Sequence, residues 1–227
     1  MAHVKPLDRD ELPEFDFIFS GAERALGAVP NSMLTMAHKP GILGAFSLLA
    51  GTIFHSMNKG FSSKMLKFMD AFLEDAHRRE PENEIPPQLT QLIAHVCSVA
   101  AGCRYCQAHT AGSAALLEVP DEKLADVLQY DTSPHYTDAE QAALSLAFAA
   151  GKVPNETTPE HFAELRKHYN EEQIVEIVAV ISLFGFLNRW NDTMATALED
   201  HPRRFAEACL ASVSNWEIGK HAPRVMD

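Results

Sequence analysis

The sequence predicts an all-α protein of about nine or ten helices, and three observations carry that prediction. No segment alternates apolar and polar residues for long enough to make a half-buried strand. Apolar residues instead recur at steps of three and four along several stretches, the spacing that lines one face of a helix. The breaks between these stretches hold proline, glycine and hydroxyl or amide caps, which is helix punctuation. With 227 residues, 46% of them hydrophobic and 22% charged, the chain is long enough to bury a core and has an ordinary globular composition. Disorder, collagen and a coiled-coil rod are excluded.

In chain order, residues 15–28 read as a first helix closed by Gly27 and Pro30, and a short helical piece follows Asn31. Residues 41–55 form an apolar helix rich in small residues, Gly41, Gly44, Ala45, Ala50 and Gly51, suited to close helix packing. Ser62 or Ser63 caps the next expected helix, where Met65, Met69, Phe72, Leu73 and Ala76 form a stripe. The prolines between Pro81 and Pro87 break it and mark the clearest linker. Leu89, Leu92, Ile93, Val96 and Val99 give another stripe, after which Gly102 either ends that helix or lies inside a longer one. Pro120-Asp121 starts a short helix, Thr137 with Glu140 reads as a capping box, and Gly151 is the stop. Thr158-Pro159 and Asn170 with Gln173 are further starts. Residues 174–187 are apolar on nearly every side, which predicts a central, fully surrounded helix continuing through Asn188, Arg189 and Asp192. His201-Pro202 interrupts, a last helix runs to about Trp216, and the tail from His221 is expected to be loose.

Charge and cysteine usage narrow the function classes. Lys and Arg number 19 against 31 Asp and Glu, a net charge of −12 that repels phosphate backbones and argues against nucleic acid or an anionic membrane as partner. The longest apolar stretch, residues 42–54, is too short to span a bilayer. Residues 1–16 show no basic region followed by an apolar run, so no signal peptide is expected and a cytoplasmic location follows. Four cysteines do not make a disulfide scaffold, but Cys103 and Cys106 are spaced C-x-x-C, which suggests redox or metal chemistry in a reducing compartment.

On a helix, Cys103 and Cys106 lie one turn apart on one face and His109 lies one turn beyond. Such a pair can cycle between dithiol and disulfide, provided that one thiol loses its proton; free cysteine does so near pH ~8.5. Helix-start amides near Gly102, the cation of Arg104 and a proton-accepting His109 are the local features that would help. Other readings of the same residues stay open. The cysteines with His109 would supply three of the four ligands a structural zinc needs, with only His95 and Cys97 near in sequence. A thioredoxin-like reading lacks its βαβ context. Two buried core cysteines are the plainest alternative. Cys97 reads as core, Cys209 as structural and His95 as a satisfied helix histidine. Asn188, Arg189 and Asp192 read either as a solvated helix end or as the lining of the cysteine pocket.

The stretch from Gln91 to His109, with Ala101-Gly102-Cys103-Arg104-Tyr105-Cys106-Gln107-Ala108-His109 at its end, resembles the redox motif of the alkylhydroperoxidase D-like branch of the carboxymuconolactone decarboxylase family. Gly27-Ala28-Val29-Pro30-Asn31 followed by His38-Lys39-Pro40, and Phe184-Gly185-Phe186-Leu187-Asn188-Arg189, resemble its peroxidase-related members. The resemblance implies an all-α, AhpD-like domain over 1–227, with a redox-motif core over about 60–200 and N-terminal helices 15–60 packed on it. It also implies a homo-oligomer, a small-molecule hydroperoxide as substrate, an external thiol or dithiol as reductant, and no cofactor or metal. By the same resemblance Cys106 is peroxidatic and Cys103 resolving. The family's proton relay has a glutamate twelve residues before the first cysteine and a histidine four after the second; here those positions hold Gln91 and Thr110. His109 is offset by one residue, about 100° around a helix. A lactone decarboxylase-like small-molecule enzyme, and a non-catalytic oligomeric helical protein with buried or zinc-bound cysteines, are the alternatives.

Overall fold

A computed structural model describes residues 3–54, 59–76 and 84–223. The fold is all-α: among the described residues there is no strand, and the chain divides into two compact units, Met1–Glu84 with Asn170–Glu176 and Ile85–Tyr169 with Ile177–Asp227.

The first unit contains α1 (Asp16–Leu26), α2 (Asn31–Met36), α3 (Pro40–Ile53) and α4 (Lys59–Ala76). Helix α1 stops at Gly27, whose φ of +81° is the left-handed conformation that glycine adopts without strain. Phe15, Ile18, Phe19, Met33, Leu43 and Met65 make the core, with the Phe68 ring set edge-on to Phe15 at 5.2 Å. The small residues of α3 serve close packing on α4: a Cβ on Gly44 would stand 2.6 Å from Met69 Sδ. Helix α4 begins at Lys59, so Ser62 and Ser63 lie within it rather than capping it. Hydroxyls are tolerated inside helices, so a serine pair by itself marks no start. The expected proline break falls partly on residues 77–83, outside the described residues.

The second unit is built around α5 (Pro87–Ala100) and α6 (Arg104–Leu116), followed by α7 (Asp121–Ala125), α8 (Asp138–Gly151) and α9 (Pro159–Leu165). Every residue of α5 from Leu92 to Ser98 is buried, because α6 and α8 both pack on it. Gly151 permits the closest approach, since a Cβ there would lie 2.7 Å from the Cys97 carbonyl oxygen. The Thr137–Glu140 capping box is formed in both directions: Glu140 N–H donates to Thr137 Oγ1 at 3.3 Å and Thr137 N–H to Glu140 Oε2 at 3.0 Å.

Helix α10 (Glu171–Met194) starts at the Asn170–Gln173 cap, and α11 (Asp200–Cys209) and α12 (Ala211–Ser214) complete the order. Three expectations are corrected here. Helix α10 is not fully surrounded: it buries Ile177, Ile181, Asn188 and Asn191 but exposes Leu183, Phe186 and Trp190. An apolar circumference states what a helix can bury, not how many neighbours it has. This helix is long and apolar enough to cross a bilayer, yet it gives the Asn188 and Asn191 face to the protein interior. Pro202 does not interrupt a helix but sits in the first turn of α11, where a missing N–H costs nothing. His221 is anchored rather than loose: Leu198 N–H donates to its carbonyl at 2.8 Å, and its Nδ1 donates to Thr196 O at 2.8 Å.

Candidate active site

The turn between α5 and α6 creates the site. Gly102 has φ +76°, its N–H donates to Val99 O at 3.0 Å, and Cys103 N–H donates to Ser98 O at 3.1 Å. These two bonds form a Schellman end, which requires a left-handed residue and so places glycine immediately before the motif. The helix therefore breaks at Gly102, and Cys103 becomes the N-cap of α6 with extended backbone angles. Its Sγ accepts the Cys106 N–H at 3.4 Å, the place that a serine or aspartate oxygen holds in an ordinary cap.

That position separates the two thiols, both of which are free and buried. Cys103 is held below the ordinary thiol range, chiefly by a hydrogen bond from the Cys106 side chain and then, against the cost of burial, by the N–H groups of Cys106 and Tyr105. Cys106 is pushed upward by the same bond, which keeps its proton, and by burial and the neighbouring Cys103 charge. One group favours charge on Cys106: Asn191 of α10, whose Nδ2 lies 3.7 Å from Cys106 Sγ while also donating to Leu187 O at 3.0 Å. Cys97 lies buried on α5 with its thiol raised to about 11 by desolvation.

The surrounding polar groups are almost all engaged. Ser98 Oγ stands 2.8 Å from Ala94 O and 2.9 Å from Asn188 Oδ1. The Ser98 hydroxyl is the donor toward both, its one proton shared between the Ala94 carbonyl and Asn188 Oδ1, and Asn188 Nδ2 is left buried without a partner among the described residues. Gln107 donates to Ser98 O at 3.3 Å and receives Arg104 Nη1 at 3.3 Å. The Arg104 guanidinium is thus directed at a carboxamide, not at a sulfur. His95 is a satisfied core histidine. Its Nδ1 donates to Gln107 O at 3.2 Å and lies 3.0 Å from Thr110 Oγ1, and Thr110 in turn donates to Cys106 O at 2.8 Å. Burial lowers the His95 pKa to about 4 and keeps the ring neutral.

His109 is placed differently from the thiols. Its Nε2 meets Glu199 Oε2 at 2.9 Å on the solvent side, and its ring lies 4.5 Å from that of Tyr105, whose hydroxyl donates to Glu199 Oε1 at 3.0 Å. Among the described residues no three His, Cys, Asp or Glu side chains converge as metal ligands. Cys209, read as structural, is exposed. The residues that sequence reasoning passed over are Asn191, Ser98 and Glu199. Asn188 and Asn191 stand three apart in an otherwise apolar helix, and that spacing was the available signal for one inward polar face.

The family profile described as the carboxymuconolactone decarboxylase family matches residues 63–149, a span that holds both cysteines. A solved structure of the debrominase Bmp8 is 36% identical, covers 90% of this chain and 96% of its own, and superposes with a TM-score of 0.54. The chain belongs to the carboxymuconolactone decarboxylase family. A cysteine-to-alanine variant of Bmp8 in complex with 2,3,4-tribromopyrrole is similar at 35% identity, covering 92% of this chain and 98% of its own, with a TM-score of 0.55. The uncharacterized protein YdfG of Bacillus subtilis (strain 168) is 26% identical over 119 residues, which are 52% of this chain and 78% of that protein.

Proposed function

We propose that the protein is a dithiol-dependent oxidoreductase that delivers two electrons from Cys103 and Cys106 to a small electrophile, with a hydroperoxide as substrate. The observation that carries this reading is the geometry at the start of α6: two free, buried thiols one turn apart, with Cys103 Sγ at the N-cap accepting the Cys106 N–H at 3.4 Å. In the reaction, deprotonated Cys106 attacks the terminal peroxide oxygen, the O–O bond breaks, and the product alcohol leaves with one proton. Cys103 then attacks the sulfur of the resulting Cys106 sulfenic acid: the S–O bond breaks, the S–S bond forms, and the hydroxide leaves with a proton as water. An external thiol or dithiol then restores both thiols by exchange. His109, tied to Glu199 one turn past Cys106, is the proton-exchanging group on the solvent side. A reducing compartment such as the cytoplasm suits this cycle.

The likeness to Bmp8 favours a second reading with the same electrons. A brominated heteroaromatic would lose bromide and gain hydrogen while the two thiols become a disulfide, which balances as one C–Br bond, two thiols, one C–H bond, HBr and one S–S bond. The departure of Gln91 and Thr110 from the relay pattern supports weighing this substrate beside a hydroperoxide.

Assembly belongs to the same proposal. Leu183, Phe186 and Trp190 are 55%, 44% and 56% exposed along one side of α10, with the Phe186 and Trp190 rings 6.0 Å apart. A contiguous apolar face of this kind supports a homo-oligomer in which a second copy covers it.

The test is a stoichiometric dose of cumene hydroperoxide or of 2,3,4-tribromopyrrole to fully reduced protein, followed by thiol counting, peptide mapping and bromide assay. A Cys103–Cys106 disulfide after either compound is the expected result, and that compound is the substrate class. Both thiols intact after both compounds would overturn the reading.

A further inference from the structure

The dithiol reading leaves one physical difficulty. The favoured site of charge is Cys103, at the helix start and wholly buried, yet the sulfur assigned to attack is Cys106, which holds the proton. The charge must cross the bond between the two sulfurs before Cys106 reacts. That transfer balances simply: the Cys106 S–H breaks, a Cys103 S–H forms, and the single negative charge moves from one sulfur to the other.

Something must receive the charge on Cys106, and the described surroundings offer few candidates. Cys103 and Tyr105 on α6, Cys97 on α5 and Asp192 on α10 are the titratable groups that act on the two sulfurs, and none brings a positive charge. Asp192 is occupied by Lys220 Nζ at 2.7 Å. Arg104 is directed at Gln107, and His109 at Glu199. Cys106 lies within α6, so its own backbone N–H is spent on Cys103 Sγ. What remains is the Asn191 carboxamide, itself buried, 3.7 Å from Cys106 Sγ and fixed by its second bond to Leu187 O.

We propose that Asn191 is the residue that enables charge transfer within the dithiol, its Nδ2 donating to Cys106 Sγ as the proton passes to Cys103. The bond at rest is long for a neutral thiol and strengthens as the sulfur becomes a thiolate, since hydrogen bonds to ions are shorter and stronger than neutral ones. Asn191 thus favours the state that precedes attack more than the resting state, which makes its contribution kinetic. Asn188, one turn earlier, holds Ser98, whose carbonyl receives Cys103 N–H, so this face of α10 steadies both ends of the motif. The inference rests on the dithiol reading and is independent of which electrophile is the substrate.

The experiment is single-turnover disulfide formation with cumene hydroperoxide, followed by quenched peptide mapping across a pH series. Wild type is compared with Asn191→Leu, which keeps the volume and removes the donor, and with Asn191→Asp, which keeps the shape and places an acceptor against the sulfur. Both variants should slow the reaction, Asn191→Leu by roughly tenfold at neutral pH, the scale of one hydrogen bond to a charged sulfur. The midpoint of the pH–rate profile should move upward in both. If Asn191→Leu fails to fold, Asn191→Asp carries the test. Unchanged rates, or slower rates with an unmoved pH midpoint, would assign Asn191 to packing and overturn the inference. Absence of a disulfide in wild type with both the hydroperoxide and 2,3,4-tribromopyrrole would overturn the dithiol reading itself, a separable result.

Discussion

Helices α5 and α10 look alike as sequence and differ as structure. Both are dominated by apolar residues. Helix α5 is enclosed from Leu92 to Ser98, and its end is shaped by Gly102 into the start of the motif. Helix α10 turns one side inward, with Asn188 on Ser98 and Asn191 on Cys106, and leaves Leu183, Phe186 and Trp190 uncovered. The comparison teaches that hydrophobicity fixes how much a helix can bury, while the number of packed neighbours fixes how much it does. Where supply exceeds coverage, the surplus stays exposed.

The contrast is broken most sharply in α5. Ile93→Ala removes a side chain with no exposure and should cost about 2–5 kcal/mol, the range for emptying a packed core site, measured as a fall in the urea midpoint at unchanged slope. A loss below that range would mean that α5 is less enclosed than described here.

His95, two residues further on, gives α5 an acid sensitivity. Its pKa is lowered from 6.5 to about 4 by burial, so below pH 6.5 the unfolded chain binds a proton that the folded chain refuses until about pH 4. The unfolded state then carries more protons, and stability falls as pH drops through that window, by about 3 kcal/mol in total from this residue. Urea unfolding at pH 7 and pH 4.5 should show a steeper loss for wild type than for His95→Gln. Equal losses would show that the ring is protonated or released without penalty.

Helix α10 is tested by its mass rather than its stability. Trp190→Asp places a charge on the uncovered face and should leave secondary structure intact while halving or further reducing the particle mass in light scattering. A wild-type mass near 25.1 kDa at every concentration would mean that the face is uncovered in solution.

The smallest effect is expected at the solvent edge of the motif. The His109–Glu199 pair is exposed, so His109→Ala should change stability by less than about 1 kcal/mol. In the proposed reaction His109, bonded to Glu199, serves only solvent-side proton exchange, so disulfide formation should slow a few-fold. A far larger loss of rate at intact stability would bring His109 into the reaction itself.

How much of this was legible beforehand depends on the kind of signal. Caps and breaks are local, and they read correctly: Gly27, Thr137 with Glu140, Thr158-Pro159 and Asn170 with Gln173 all punctuate helices. The C-x-x-C spacing is local too, and so is the family motif that surrounds it. Ser62, Ser63 and Pro202 misled because a hydroxyl or a proline is compatible with more than one place in a helix.

What the amino-acid order determined by itself is therefore the all-α class, the helix boundaries set by backbone chemistry, and two thiols within one turn. Tertiary structure decided the rest. It brought Asn191 to Cys106 from 85 residues away and drew His109 to Glu199 across 90. It also left one side of α10 bare. The physical reason is that dihedral preferences and capping bonds act within a few residues, whereas the charge on a sulfur depends on whichever distant groups packing delivers to it.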